Sequence, residues 1–143
     1  REYVLLCHGW LPRAREAVDV RLAWEEGSLP TVACPRGKPS ITRLAPIGHF
    51  MHKAEALSLT EVRIVTGRRH QIRSHVAHIG HAPLRDGRYA SASTLREDRP
   101  WCPRHFLHRH RVCFLDRRGR AREVVAVLPS DLAAVLEGLR PRL

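Results

Sequence analysis

Residues 66–90, TGRRHQIRSHVAHIGHAPLRDGRYA, constrain the fold more tightly than any other stretch of the chain. A β-patterned run, LSLTEVRIV, leads into Thr66, and Gly67 supplies the backbone freedom for a tight strand-to-helix turn. Arg68, Arg69 and His70 follow at once. Ile72, Val76 and Ile79 then recur at the spacing of one buried helical stripe, and Gly80 stands where a C-cap belongs, which predicts a helix over residues 70–79. Free N–H groups at a helix N-terminus, the positive end of its dipole and two guanidinium groups together suit a phosphate or carboxylate. The same arginines serve equally well as solvated surface residues. Arg73 differs: it follows Ile72, so its stem borders the buried stripe, and an arginine held beside a core has an acidic partner or lines a pocket.

Around this stretch the pattern is mostly β. Residues 3–9 form an apolar run typical of a buried strand, residues 11–17 a connector containing Pro12, and residues 18–24 an alternating, half-buried strand. Residues 25–40 carry Gly27, Pro30, Pro35, Gly37 and Pro39 and read as turns around a short strand at 31–34. A brief strand is expected at 40–44, a surface loop at 46–55 and a strand at 57–65. Beyond the helix, residues 81–90 read as a loop and 91–103 as an exposed excursion. A strand at 106–115, a hairpin turn at 116–119 and a return strand at 123–127 follow. A last helix begins at Ser130 as N-cap, with Leu132, Val135, Leu136 and Leu139 on its apolar face. The fold class expected is α+β over residues 1–143: a mixed, mainly antiparallel sheet with a short motif helix and a C-terminal helix.

Charge narrows the partner. A net charge of +11 with a pI near 11.1 implies a polyanion, RNA first, because neutralised phosphates release their counterions. Lysine occurs only at Lys38 and Lys53. Arginine suits bidentate phosphate contacts and stacking on bases, although a GC-rich genome would produce the same bias. The four cysteines are dispersed without a CxxC pair, as free thiols of a reducing compartment would be, whether cytoplasm or organelle interior. No apolar run approaches the roughly 18 residues of a membrane span, and no signal or transit peptide is visible. Cys102, His105, His108, His110 and Cys113 invite a zinc reading, but strand alternation sends His108 and His110 to one face and His105 and Cys113 to the other. No metal is therefore expected, and these histidines are expected to face RNA or solvent, with His108 packed.

TGRRHQIRSH followed by HIGHAPLRDGRYA closely resembles the signature of the RluA-type pseudouridine synthases, TGR-x-HQIR-x-H, then an I/L-G-H-P segment and GD-x-x-YG. REYVLLCHG is similar to that family's K-x-Y-x-A-x-V-x-G strand, and Leu107-His108 with Val112 and Phe114 to its L-H-A-x-x-L-x-F strand. Arg85 departs from the glycine before Asp86, Ala90 from the glycine after Tyr89, and Arg109 from the alanine after His108. The resemblance implies the C-terminal half of a pseudouridine synthase domain. The family's catalytic aspartate lies in an HRLD-x-x-TSG segment ahead of the tyrosine strand, and none of Asp19, Asp86, Asp98, Asp116 and Asp131 has that context.

The activity so implied is isomerisation of uridine to pseudouridine in ribosomal or transfer RNA, by flipping the nucleotide and rejoining its base through C5, without metal or organic cofactor. Tyr3 would support the base and Arg73 would pair with the aspartate. Ile72, Asp86 and Tyr89 would bound the pocket, and Arg68, Arg69, His70 and Gln71 would hold RNA. Taken without the family, Tyr3 is an aromatic at the edge of a core strand and Asp86 either a salt-bridge partner for a nearby arginine or a turn residue. The alternative is a catalytically inactive module kept as an RNA-binding or structural subunit of a larger assembly. The bulk of the three departures and the sheet edges of a half-domain both speak for it. A small basic domain with some other partner, metal included, is the third reading.

Overall fold

The computed structural model of the protein describes residues 1–27 and 30–142. In chain order its elements are β1 (Glu2–His8), β2 (Ala17–Asp19), β3 (Leu22–Ala23), β4 (Val32–Ala33), β5 (Ile41–His52), β6 (Glu55–Ile64), α1 (Gln71–His78), α2 (Ala92–Asp98), β7 (Leu107–Leu115), β8 (Ala121–Val125), α3 (Ser130–Glu137) and β9 (Arg140–Pro141). One sheet runs in the order β2-β5-β6-β1-β7-β8, with β9 added beside the far end of β5, and every described pairing is antiparallel. β3 and β4 form a separate two-stranded ribbon. The fold is thus α+β on a mainly antiparallel sheet.

β1 is central and covered on both faces, which is why it reads as a continuous apolar run rather than an alternation. Leu5 and Cys7 point to one face, packed with Leu11, Val18, Leu44 and Val62 against Ile72 and Val76 of α1. Leu6 points to the other, where Leu57, Leu84, Cys102 and Phe106 meet Leu132, Val135 and Leu139 from the α3 segment. Leu5 and Leu6 are both fully buried, each stabilising the fold by about 2 kcal/mol relative to exposure. The stripe read for α1 is therefore its buried face, and Gly80, at φ +87 just past the C-cap residue Ile79, lets the chain leave the helix.

Four expectations change. Residues 46–55 are not a loop: β5 continues to His52, and the hairpin turns at Lys53, whose φ of 53° is left-handed. A bulge between Pro46 and Gly48 shifts the pairing register, so apolar alternation is lost just where the strand continues, and Pro46 sits at the irregularity. The strand expected at 18–24 is instead two, β2 and β3, belonging to different sheets. The excursion at 91–103 contains α2, capped by the Ser91 hydroxyl, which accepts the Thr94 N–H at 3.1 Å. At α3, Pro129 rather than Ser130 takes the N-cap position and provides no side-chain bond. Cys7, Cys34, Cys102 and Cys113 are free, and no described helix is long and apolar enough to cross a membrane.

Candidate active site

The turn after β6 brings the arginine-rich motif against β1 and β7. Tyr3, Ile64, Arg68, His70, Gln71, Ile72, Arg73 and Leu107 line a pocket of about 220 Å³, which brings Tyr3, Ile72 and Arg73 to one cavity. Asp86 and Tyr89 stand behind Arg73 rather than in the lining, as the contacts below describe.

Gln71 is the staple of the turn. Its side-chain carbonyl accepts the Arg68 N–H at 3.0 Å and the Thr66 hydroxyl at 2.8 Å, and its amide nitrogen donates to the Ile41 carbonyl at 2.9 Å and to Thr42 Oγ1 at 3.0 Å. Expected among the RNA contacts, Gln71 is 3% exposed and its polar atoms are bonded within the protein. His75, one turn on, is fully buried between Thr42 Oγ1 at 2.9 Å and the Val20 carbonyl at 2.8 Å. Burial holds its pKa below the ordinary histidine value, so the ring is neutral at pH 7. The Val20 carbonyl can only accept, so Nε2 carries the proton and Nδ1 accepts from the Thr42 hydroxyl. The Ser74 hydroxyl donates to the Thr31 carbonyl at 2.8 Å, tying α1 to the β4 segment.

Arg73 is held from behind. Its Nε donates to Asp86 Oδ2 at 2.7 Å and Nη2 to Asp86 Oδ1 at 2.6 Å, a bidentate pair on a carboxylate with no exposed surface. Asp86 Oδ1 also accepts the N–H groups of Arg88 at 3.0 Å and Tyr89 at 3.3 Å. Asp86 thus acts both as salt-bridge partner and as turn residue. Burial would raise its pKa, yet the Arg73 bonds and the two backbone donors hold the carboxyl below the usual range, and the same pair raises that of Arg73. Both stay charged at pH 7. The Tyr89 ring lies 5.0 Å from the Arg73 guanidinium carbon, and its hydroxyl accepts the Thr31 N–H at 2.9 Å.

The cations expected on phosphate are arranged differently from one another. His70 takes a left-handed φ of 49° and pairs through Nδ1 with the Tyr89 hydroxyl at 3.1 Å. Burial and the Arg73, Arg69 and Arg88 charges lower its pKa, so it enters neutral chemistry as a ring, not as a cation. Arg68 donates from Nε to the Pro39 carbonyl at 3.2 Å and Arg69 from Nη1 to the Glu25 carbonyl at 2.8 Å, which leaves their remaining donors exposed to solvent. Arg109, on β7, places its guanidinium carbon 5.9 Å from the Tyr3 ring centroid. His105 went unread as a neighbour of the site: burial and then the Arg73 charge push its pKa down.

Among the described residues, the group of potential metal ligands that converges is Glu2, Glu61 and His110, with ligand atoms within 4.8 Å of one another. Glu2 shares the face of Val4, away from Tyr3, and already pairs with the Arg111 guanidinium at 3.2 Å.

The profile of the family described as RNA pseudouridylate synthase matches residues 1–78. An RNA pseudouridine synthase of Chloroflexus aurantiacus is 36% identical over 109 residues, covering 76% of this chain and 32% of its own length. The RNA pseudouridine synthase YlyB of Bacillus subtilis is 28% identical over 142 residues, 98% of this chain and 44% of its own length. The solved structure of human RNA pseudouridylate synthase domain containing 1 superposes with a TM-score of 0.82 at 25% identity, over 99% of this chain and 59% of that one. The chain therefore spans 32% to 59% of the length of these three proteins.

Proposed function

We propose that this chain, which belongs to the RluA-type RNA pseudouridylate synthase family, forms the base-binding and arginine side of a site that isomerises uridine to pseudouridine in RNA. The observation that carries this reading is the Arg73–Asp86 pair beside a pocket of about 220 Å³, room for one pyrimidine. Asp86 occupies one edge of the guanidinium and keeps it charged and aimed. The remaining donors of Arg73, whose side chain is 17% exposed, can hold a second carboxylate at the pocket.

That second carboxylate would be the nucleophile of the proposed reaction, the aspartate that the resemblance expects in an HRLD-x-x-TSG segment ahead of the tyrosine strand. Asp86 is fully buried with both oxygens bonded, so it orients rather than attacks. An opposite charge within hydrogen-bond reach keeps such a carboxylate ionised. Tyr3 and Ile72 would sandwich the extruded base, and stacking worth about 1–3 kcal/mol offsets a flipping cost of similar size. The carboxylate would attack C1′ as the N1–C1′ bond breaks, and the freed base turns. C5 then displaces the carboxylate from C1′ and loses its proton, while N1 gains one, so the carboxylate is regenerated and the product is an isomer.

A second reading, an RNA-binding module without catalysis, draws on Arg109, whose guanidinium carbon lies 5.9 Å from the Tyr3 ring centroid where the family pattern has alanine. Full-length protein carrying this chain, incubated with RNA tritiated at uridine C5, separates the two. Tritium release that falls at least about a hundredfold in Arg73→Lys, assayed at a temperature where the variant is still folded and with RNA affinity kept, is the expected result, because Lys cannot make the bidentate pair. Equal release by Arg73→Lys would refute the role of Arg73. Salt-dependent RNA binding with no release from any RNA offered would leave the second reading.

A further inference from the structure

We propose that the cleft between the β3–β4 ribbon and the Gly37–Lys38 segment is a second nucleobase subsite, for a single-stranded nucleotide flanking the target uridine. The inference rests on the RNA reading above. The cleft has a volume of about 360 Å³ and is lined by Trp24, Glu26, Arg36, Gly37 and Lys38 over a floor of Leu22 and Ala23. Trp24 is half-buried, and the Lys38 ammonium lies 5.1 Å from its ring centroid.

The floor is built in advance. Leu22 and Lys38 exchange two backbone hydrogen bonds, at 3.0 and 2.7 Å, and Arg21 donates to the Gly37 carbonyl at 2.9 Å. A Cβ on Gly37 would lie 2.5 Å from the Leu22 backbone, so the two strands approach this closely only because that residue is glycine. The backbone next to Trp24 is therefore held at Leu22, and the Lys38 ammonium lies near the indole face.

The walls of the cleft are tied to the arginine motif of the first pocket. Arg68, which lines the base pocket, bonds the carbonyl of Pro39, the residue after Lys38. Arg69 bonds the carbonyl of Glu25, the residue after Trp24. The two arginines expected to grip phosphate thus tie the motif to the segments that follow Lys38 and Trp24, and each keeps N–H groups beyond the bond described. Glu26 lines the cleft and Asp19 and Glu25 lie nearby in sequence, yet among the described residues none of Arg21, Arg36, Lys38, Arg68 and Arg69 is in an ion pair. A bare anion would need the cations but not the indole, and an apolar ligand the indole but not the cations. A nucleotide uses both, its base on Trp24 and its phosphate on the Lys38–Arg68 edge.

The test is short single-stranded RNA carrying one thio-substituted uridine, crosslinked by light to the full-length protein and mapped by mass spectrometry, alongside anisotropy titrations of the same RNA. We expect crosslinks in the peptide of residues 22–36 as well as in that of residues 2–13. Trp24→Ala should weaken binding about tenfold, Trp24→Phe should restore most of it, and Lys38→Ala should reduce the salt slope by about one. Crosslinks at residues 2–13 alone, with unchanged affinity in Trp24→Ala, would overturn the subsite and leave the RNA reading intact. No binding by the parent protein at low salt would overturn both. Should Trp24→Ala fail to fold, the crosslink map and the Lys38→Ala slope still decide.

Discussion

Asp86→Asn tests the pair on which the site is built. The substitution keeps the shape of the side chain but removes its charge, and one of the two positions facing Arg73 becomes an NH₂ donor. Two charge-assisted bonds of 2.7 and 2.6 Å are then weakened or lost around a group with no exposed surface. Breaking a buried pair from one side costs about 3–5 kcal/mol. The Arg73 side chain is 17% exposed, so water recovers part of its hydration and the lower end applies, about 3 kcal/mol, or about 9 °C in melting temperature for a chain of this size. The pH dependence follows from the lowered Asp86 pKa. A carboxyl with a depressed folded pKa contributes stability that is complete above its unfolded value, about 3.9, and is lost as pH falls through the folded one. Denaturant melts at pH 7 should therefore separate parent and Asp86→Asn by about 3 kcal/mol, and the gap should narrow progressively as pH falls below about 3.9. A gap under about 1 kcal/mol at pH 7, the scale of an ordinary hydrogen bond, would refute the pair's structural role. So would a gap independent of pH.

Two further substitutions probe the scaffold. Arg85 holds a left-handed φ of 60° and leaves its Nε buried without a partner, so Arg85→Gly should raise stability by about 0.5–1 kcal/mol in denaturant melts, net of glycine's unfolded-state freedom. His75→Ala should cost about 3 kcal/mol at pH 7.5 by emptying a fully buried site and orphaning the Val20 carbonyl. Because the folded pKa of His75 is lowered, its contribution is complete above the unfolded value near 6.5 and falls as pH drops below it. Part of the parent's loss of stability between pH 7.5 and 5 should thus disappear in the variant.

The sequence made the α1 stripe legible because Ile72 and Val76 repeat at helical spacing and bury against strands that themselves read as apolar. It also placed Arg73 beside that stripe. What Gln71 and His75 do could not be read, since their partners Ile41, Thr42 and Val20 lie 30, 33 and 55 positions away. A histidine in a basic motif looks like a cation until the carbonyl that fixes its proton is known. The same distance hid the Arg68 and Arg69 contacts, at 29 and 44 positions, and with them the tie to the ribbon. α2 was missed for another reason: ASTLRED has no apolar stripe, and its anchor is one buried carboxylate, Asp98, which bonds His8 at 3.0 Å and the Arg85 N–H at 2.7 Å.

The three departures from the family pattern do not weigh equally on whether the site works. Arg85 occupies a left-handed position that explains a glycine there, and it meets the demand at a cost in backbone strain while its N–H still reaches Asp98. Ala90 is not among the described residues with positive φ, so the missing glycine costs nothing, and its N–H bonds the Asp86 carbonyl at 3.0 Å. Neither residue lines the pocket. Only Arg109 touches the question, and distance settles its weight. A guanidinium stacked on an indole sits 3.8 Å from the centroid, as Arg142 does on Trp10, whereas Arg109 stands 5.9 Å from the Tyr3 ring. That separation is a cation near the ring rather than a lid upon it. Arg109 thus leaves the face of Tyr3 uncapped and adds positive potential that RNA binding uses whether or not the pocket is catalytic.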